Sequence, residues 1–493
     1  MRGGTESAPT AFLPCEAPAS VRRAGLLLPV FSLPRPGFGA DARSVIRFLE
    51  RAGLTVWQVL PLGPTHADGS PYQCLSSFAL NPVFLDLEDL EHDASFRNGV
   101  PAKARRRGVG ASGPLLEAFE AFARAESGWL DDYALFMAIK AEQGGDDWTG
   151  WPAPLRDRDP EALQRFRQIH EEAVQRIAFE QFLLDRQWQS VRREASDRGI
   201  RLFGDLPIFV AGDSADVWAN RDQFRLDGKG QPKVVAGVPP DYFSETGQRW
   251  GNPLFDYERM ENDGFSWWKM RFARHLEIYD WVRIDHFRGL EAYWEIDATA
   301  ETASEGRWVP APGDAILATL ESTADGHLPL VAEDLGVITP EVTALRERFG
   351  LPGMKILQFA FDGGDDNPYR PSCHEPLSVV YTGTHDNDTT LGWWRGLDEG
   401  KRHQVRSVLA DEQGIDPTMQ MPDALVESAL ASRSGLAVIP VADFLRLGSE
   451  ARINVPGTTE GNWRWQLAED ALTDALADRI RDTLANRDRL PDH

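Results

Sequence analysis

The chain has 493 residues, 42% of them hydrophobic, with a further 43 Gly, which suits a large packed core and argues against a disordered chain. Lys and Arg number 52 against 76 Asp and Glu, a formal charge of −24, which argues against nucleic acid or an anionic membrane as partner and leaves a neutral substrate indifferent. The three cysteines, Cys15, Cys74 and Cys373, are few, odd in number and far apart, so neither a disulfide framework nor a zinc cluster is indicated and a reducing compartment fits.

Residues 1–22 mix Pro, Ala and polar residues with no apolar segment and read as a loose tail rather than a secretory signal. The longest apolar run, Gly25–Phe31, is too short to span a bilayer. A cytoplasmic, soluble protein is expected. From there on, eight short apolar, β-branched runs recur: Ala24–Phe31, Thr55–Leu60, Ile200–Pro207, Trp281–His286, Leu328–Glu333, Met354–Ala360, Ser378–Thr382 and Leu436–Val441. Runs of this kind suit strands buried on both faces of a parallel sheet. Helical patterns lie between several of them. Asp41–Ala52 gathers Val45, Ile46 and Leu49 on one face, Thr339–Phe349 opens on Thr-Pro, and Val438–Leu447 runs toward a short helix. Strand and helix alternating eight times predict a (β/α)8 TIM barrel.

The spacing is uneven. About 140 residues separate the second and third runs, where a plain repeat needs roughly 30. Trp129–Lys140 reads as a helix there. Ile169, Ala173, Ile177, Leu184, Trp188 and Val191 form the stripe of a long amphipathic helix. These features predict a helical insertion at 84–180. A second insertion, 208–262, is rich in Gly, Pro and aromatic residues, among them Val238, Pro239, Pro240, Asp241, Tyr242 and Phe243, and is expected as a loop subdomain over a site. The barrel with both insertions occupies 23–493.

Chemistry in such a barrel sits where the strands end. Asp205 falls near the end of the third run. Arg283, Asp285 and His286 fall in the fourth, Glu333 and Asp334 end the fifth, and His385, Asp386 and Asp388 follow the seventh. Arg283 lies two residues before Asp285, so on a strand both share one face and the guanidinium can hold the carboxylate ionised. Carboxylates in different surroundings can divide acid, base and nucleophile work, as glycoside cleavage requires. Each element also has a plainer reading: Asp285 as a structural ion pair, Glu333-Asp334 as a helix cap, His385-Asp386 as a turn or a metal site. The 16 Trp against 8 Tyr fit ordinary packing or indole faces stacked on sugar rings.

The chain resembles the 4-α-glucanotransferases of glycoside hydrolase family 77, called amylomaltase or disproportionating enzyme and related to the α-amylases, from about residue 24 to about 468. The likeness rests on ordered motifs: Trp57-Gln58-Val59-Leu60-Pro61-Leu62-Gly63-Pro64-Thr65, Ser70-Pro71-Tyr72-Gln73, Gly204-Asp205-Leu206-Pro207-Ile208, Asp213-Ser214-Ala215-Asp216, Trp250-Gly251-Asn252-Pro253, the three acidic segments above, and Asn454-Val455-Pro456-Gly457-Thr458. It implies a retaining transfer of α-1,4-glucan segments through a covalent glucosyl-Asp intermediate. Asp285 would be the nucleophile, Glu333 the general acid/base and Asp386 the carboxylate that stabilises the transition state. Arg283 and His385 would flank the scissile bond. Tyr72, Asp205, Asp213, Trp250 and Asn252 fall on segments that resemble substrate-contacting ones, and Asn454, Pro456 and Gly457 on a loop toward the acceptor side. Asp68-Gly69 and Gly212 depart from the usual pattern, which bears on chain-length preference. The resemblance implies no separate C-terminal β-domain of the amylase kind, α-1,4-glucans (maltose, maltotriose, maltodextrins, amylose) as substrates, no cofactor, no metal, no nucleic acid, no membrane, and a monomer or weak homodimer. The alternatives are an α-1,4-glucan hydrolase on the same barrel, a metal-dependent hydrolase using His286 and His385, and a non-catalytic glucan-binding scaffold.

Overall fold

A computed structural model describes residues 17–100, 112–240, 245–324 and 326–491. Cys15, most of the expected tail, and Asp241, Tyr242 and Phe243 lie outside the described residues. In chain order the strands are β1 (Arg23–Leu27), β2 (Val56–Gln58), β3 (Arg201–Pro207), β4 (Val234–Val238), β5 (Gln248–Pro253), β6 (Trp281–Asp285), β7 (Ala292–Asp297), β8 (Gly306–Pro310), β9 (Leu330–Ala332), β10 (Gly353–Ile356), β11 (Ser378–Tyr381) and β12 (Leu436–Pro440). Each of the eight apolar runs supplies one strand of a parallel sheet in the order β10-β11-β12-β1-β2-β3-β6-β9. The end strands β9 and β10 meet where the Ala332 N–H donates to the Pro352 carbonyl at 2.9 Å. Next to it the Met354 N–H donates to Asp334 Oδ1 at 2.7 Å. The result is a (β/α)8 barrel.

The runs are continuously apolar because each strand is buried on both sides. Leu27, Val56, Phe203, Trp281, Val331, Met354, Val379 and Leu436 pack together in one cluster. Their neighbours Leu26, Trp57, Leu202, Val282, Leu330, Val380 and Ala437 pack with the residues of the surrounding helices. The sixth run stops pairing earlier than expected. β10 ends at Ile356, opposite Tyr381 at the end of β11, and Leu357–Phe359 turns into a 3-10 helix. Apolar character continues past the last ladder bond because the turn is buried as well.

Around the barrel, the helix Ala40–Ala52 turns Ala42, Val45, Ile46 and Leu49 inward. It ends at Gly53 with φ 76°, a left-handed cap that glycine adopts without strain. Between β2 and β3 stand the helices Ser127–Glu142 and Glu171–Asp197. The expected stripe loses its first member: Ile169 ends a separate helix, Pro160–Ile169, and is 76% exposed. On the long helix, Gln181 bonds both the N–H and the C=O of Leu80, and the Gln187 side chain does the same at Asp86. Two amides thus stand in for strand neighbours along a loop.

The segment 208–262 carries more regular structure than loops. Its β4 and β5 pair antiparallel, and β4 also pairs with β7, which pairs with β8. The four-stranded sheet is assembled from two stretches of chain on either side of β6. After β12 the described residues form helices and loops and add no further strand. No helix among the described residues is long and apolar enough to cross a membrane.

At the foot of the barrel Arg489 is 1% exposed. Its guanidinium donates to the carbonyls of Leu430, Arg23, Gly435, Ser432 and Ser434 at 2.6–3.3 Å. Burial lowers its pKa to about 9. The side chain links β1 to the loop before β12. Each buried carbonyl left without a donor costs about 1–3 kcal/mol. The carbonyls of Ser432 and Leu430 also accept from Arg22, and that of Gly435 from the Arg23 N–H, so Arg489→Ala is expected to lose about 2 kcal/mol of stability, read as a lower unfolding temperature by calorimetry; an unchanged transition would contradict this role.

Candidate active site

The mouth of the barrel is organised by one guanidinium. β3 and β6 pair with Asp205 opposite Arg283. Arg283, 4% exposed, donates through Nη1 to both Asp205 oxygens at 2.9 and 2.7 Å. Its Nη2 pairs with Asp285 Oδ1 at 2.8 Å. Asp285 shares a face with Arg283, as the two-residue spacing requires. Its side chain keeps 29% of its surface, while Asp205 keeps none. Burial lifts Asp205 above its ordinary pKa, with the Arg283 charge and the Tyr72 hydroxyl opposing.

Glu333 follows β9 directly. Its own N–H donates to the Ile284 carbonyl of β6 at 3.1 Å, so it stands beside the end of that strand. Its carboxyl accepts two backbone N–H groups: His286 on Oε2 at 2.6 Å and Leu335 on Oε1 at 3.0 Å. The first of these follows from the left-handed backbone of His286, φ 56°, an uncommon state for a non-glycine residue that clusters at functional sites. Burial pushes Glu333 up to about 7, with the Asp285 charge adding to the effect and Arg283 and the two N–H groups opposing it. Asp334 faces elsewhere, toward Met354 N–H and Arg346 at 3.2 Å. The adjacent acids of this pair thus divide into one at the mouth and one that joins β9 to β10.

The third acid arrives on the loop after β11. Asn387 Oδ1 accepts from the N–H and hydroxyl of Thr384, forming a turn. Asp386 lies on this turn and is 45% exposed on its side chain. It accepts from Asn454 Nδ2 at 2.6 Å and approaches His385 Nε2 at 3.4 Å. Burial pushes His385 below its ordinary pKa, which favours the neutral ring. That ring stacks on Tyr72, centroids 5.1 Å apart and planes 15° apart. The Tyr72 hydroxyl donates to Asp205 Oδ2 at 2.7 Å. Burial and then the charges of Asp205, Asp285 and Asp386 raise the Tyr72 pKa, so these three carboxylates act on one hydroxyl. Tyr72→Phe would keep the stacking and remove a charge-assisted bond worth about 1.5–3 kcal/mol. The expected result is a stability loss of about 2 kcal/mol in denaturant titration and a lower kcat.

The remaining expected residues spread outward. Trp250 meets the His286 ring edge-on at 4.8 Å and hydrogen-bonds Gln248. Asn252, 4% exposed, donates to the Val210 carbonyl and accepts from Gln73, so it ties the segment beside Tyr72 to the segment after β3. Asp213 stands apart, held by Lys140 at 2.6 Å and the Trp148 N–H at 3.3 Å, with His66 at 3.9 Å. Pro456 and Gly457 are exposed on a loop that Asn462 bridges from Val455 to Thr458. Sequence reasoning assigned no role to three participants: the His286 backbone, Arg452, and Trp463, whose ring lies 5.8 Å from Tyr72 and 6.1 Å from His385. Only the aromatic type of Trp463 carried a signal. Among the described residues, no three His, Cys, Asp or Glu side chains are grouped to hold a metal ion.

Comparison with known proteins agrees with this geometry. A sequence model of the 4-alpha-glucanotransferase family, glycoside hydrolase family 77, matches residues 28–473. A 4-alpha-glucanotransferase of Thermus thermophilus is 49% identical over 498 residues, covering 95% of this chain and 99% of that protein. One from a Synechocystis strain is 43% identical over 490 residues, covering 93% and 96%. The structure of amylomaltase from Streptococcus agalactiae in complex with acarbose superposes with a TM-score of 0.88 at 31% identity, covering 95% of this chain and all of that one. A barrel with acids at its strand ends, matched along nearly its whole length by these relatives, belongs to the 4-α-glucanotransferase family and is a transferase.

Proposed function

We propose that this site transfers segments of α-1,4-glucan between chains by double displacement. The observation that carries the reading is the pair at the ends of β6 and β9: an Asp285 carboxylate held by Arg283 at 2.8 Å, beside a Glu333 carboxyl raised to about 7. One is suited to attack and the other to exchange a proton near neutrality. Glu333 gives its proton to the glycosidic oxygen as the C1–O4 bond breaks, and Asp285 forms a bond to C1. The fragment carrying the new 4-hydroxyl leaves. Asp386 grips hydroxyls of the distorted sugar as positive charge develops. A 4-hydroxyl of a second glucan then attacks C1, its proton passes to Glu333, and the C1–Asp285 bond breaks. Two inversions return the α configuration.

Transfer requires sugar to outcompete water at the intermediate. The segment 208–262, read as an insertion over the mouth, supplies Trp250 for this exclusion, and 84–180 is read as a helical insertion. Incubation with maltotriose is expected to give glucose and a ladder of longer maltodextrins with the number of reducing ends constant. A rise in reducing ends equal to the bonds cleaved would establish hydrolysis instead, and retention of glucose release in chelator would dismiss a metal-dependent reaction.

A further inference from the structure

We propose that Arg452 is a positioning residue for Asp386, an inference that rests on the role given to Asp386 above. Arg452 follows a short 3-10 helix, Ser449–Ala451, after β12. Its Nε donates to the Asn454 carbonyl at 2.8 Å, and its Nη2 to the Asp386 carbonyl at 3.1 Å. The side chains of these same two residues are joined, Asn454 Nδ2 to Asp386 Oδ1 at 2.6 Å. One planar fork therefore holds both backbones whose side chains meet at the acid. Nε and Nη2 lie on one edge of the guanidinium, so the spacing between the two carbonyls is fixed by covalent geometry.

The rest of the loop is anchored to the same end of β12. Ser449 Oγ donates to Asp388 Oδ2 at 2.7 Å. Beneath, Asp443 is 1% exposed and accepts the Thr390 N–H, the Thr390 hydroxyl and the Thr382 hydroxyl at 2.8, 2.7 and 2.5 Å. Thr382 and Thr390 bracket the turn, so its ends are fixed by Asp443 while its middle is held through Arg452. Asp386 itself is 45% exposed and is not buried into position by packing. Its aim depends on this clamp.

A lysine offers a single point of charge and cannot span the two carbonyls. The test measures kcat and KM for maltotriose disproportionation with Arg452→Lys, Arg452→Met, Asp386→Ala and the double variant Arg452→Met/Asp386→Ala. Turnover is referred to folded protein determined by near-ultraviolet circular dichroism. Both Arg452 variants are expected to lose about 10–100-fold in kcat, as misplacement by about 1 Å does, with KM within about twofold of the parent. In the Asp386→Ala background the loss of Arg452 is expected to add less than about twofold, because residues acting as one unit are not additive. Arg452→Lys at parental kcat, a loss confined to KM, or full multiplication of the two losses would each overturn the clamp. Parental kcat in Asp386→Ala is a different signature: it would remove the role of Asp386 itself and the clamp with it.

Discussion

Asp285→Asn is expected to lower glucose release from maltotriose by at least about four orders of magnitude, the scale on which loss of a covalent nucleophile is felt. The variant should fold. Asp285 is partly exposed, and Arg283 retains both oxygens of Asp205, so no buried charge is left alone. A cavity variant sharpens the test. In Asp285→Gly, azide can enter the space left by the carboxylate and attack C1 from the same face, displacing the leaving sugar and giving a β-glycosyl azide. Parental turnover in Asp285→Asn, or an azide product of α configuration, would contradict the assignment.

Glu333→Gln should cost about 10²–10⁴-fold, the usual contribution of a positioned acid/base. The parental kcat/KM should fall as pH rises through about 7, because above it Glu333 no longer carries the proton that the leaving oxygen needs. The residual activity of the variant should lack that alkaline limb. A donor with a fluoride leaving group, which needs no protonation, should recover the first step. The Glu333 contribution to stability is expected to fall over the same range. The native carboxyl is raised from 4.5 to about 7, so between these values the folded state keeps a proton that the unfolded chain has released. The contribution of Glu333 to stability is complete below 4.5 and is lost as pH rises through 7. Glu333→Gln should therefore raise the unfolding temperature most at pH 8 and least at pH 4. A variant with an unchanged pH profile would dismiss Glu333 as the proton donor.

The barrel was legible because its strands are buried on both sides. A run such as Ile200–Pro207 has no polar face to obscure it, and β3 occupies Arg201–Pro207. The places where acids could gather were legible for a related reason: polar residues such as Asp285 and Glu333 interrupt apolar runs where the strands leave the packed layers. Spatial partners of segments far apart in sequence were not legible. The pairing of β4 with β7 joins stretches on either side of β6, and nothing local to Val234–Val238 announces it. Likewise the sequence offers His286 for its ring, as a candidate metal ligand, whereas its positive φ turns its N–H onto Glu333, and it says nothing of Arg452, on which two loops converge. Such assignments depend on backbone geometry, which residue type alone does not encode.

The bond from Arg489 to Arg23 spans 466 positions, and this separation bears on how the protein is made. While the chain is still on the ribosome, β1 can join β2 but waits for its other neighbour, β12, until nearly all of the sequence has been translated. At about 5–20 residues per second that interval is roughly 20–90 s, during which Ala24–Leu27 presents an unpaired apolar edge of the kind that recruits other nascent chains. Slowing translation is accordingly expected to lower the soluble yield of this transferase, and supplying a chaperone to restore it; an unchanged yield would contradict this exposure.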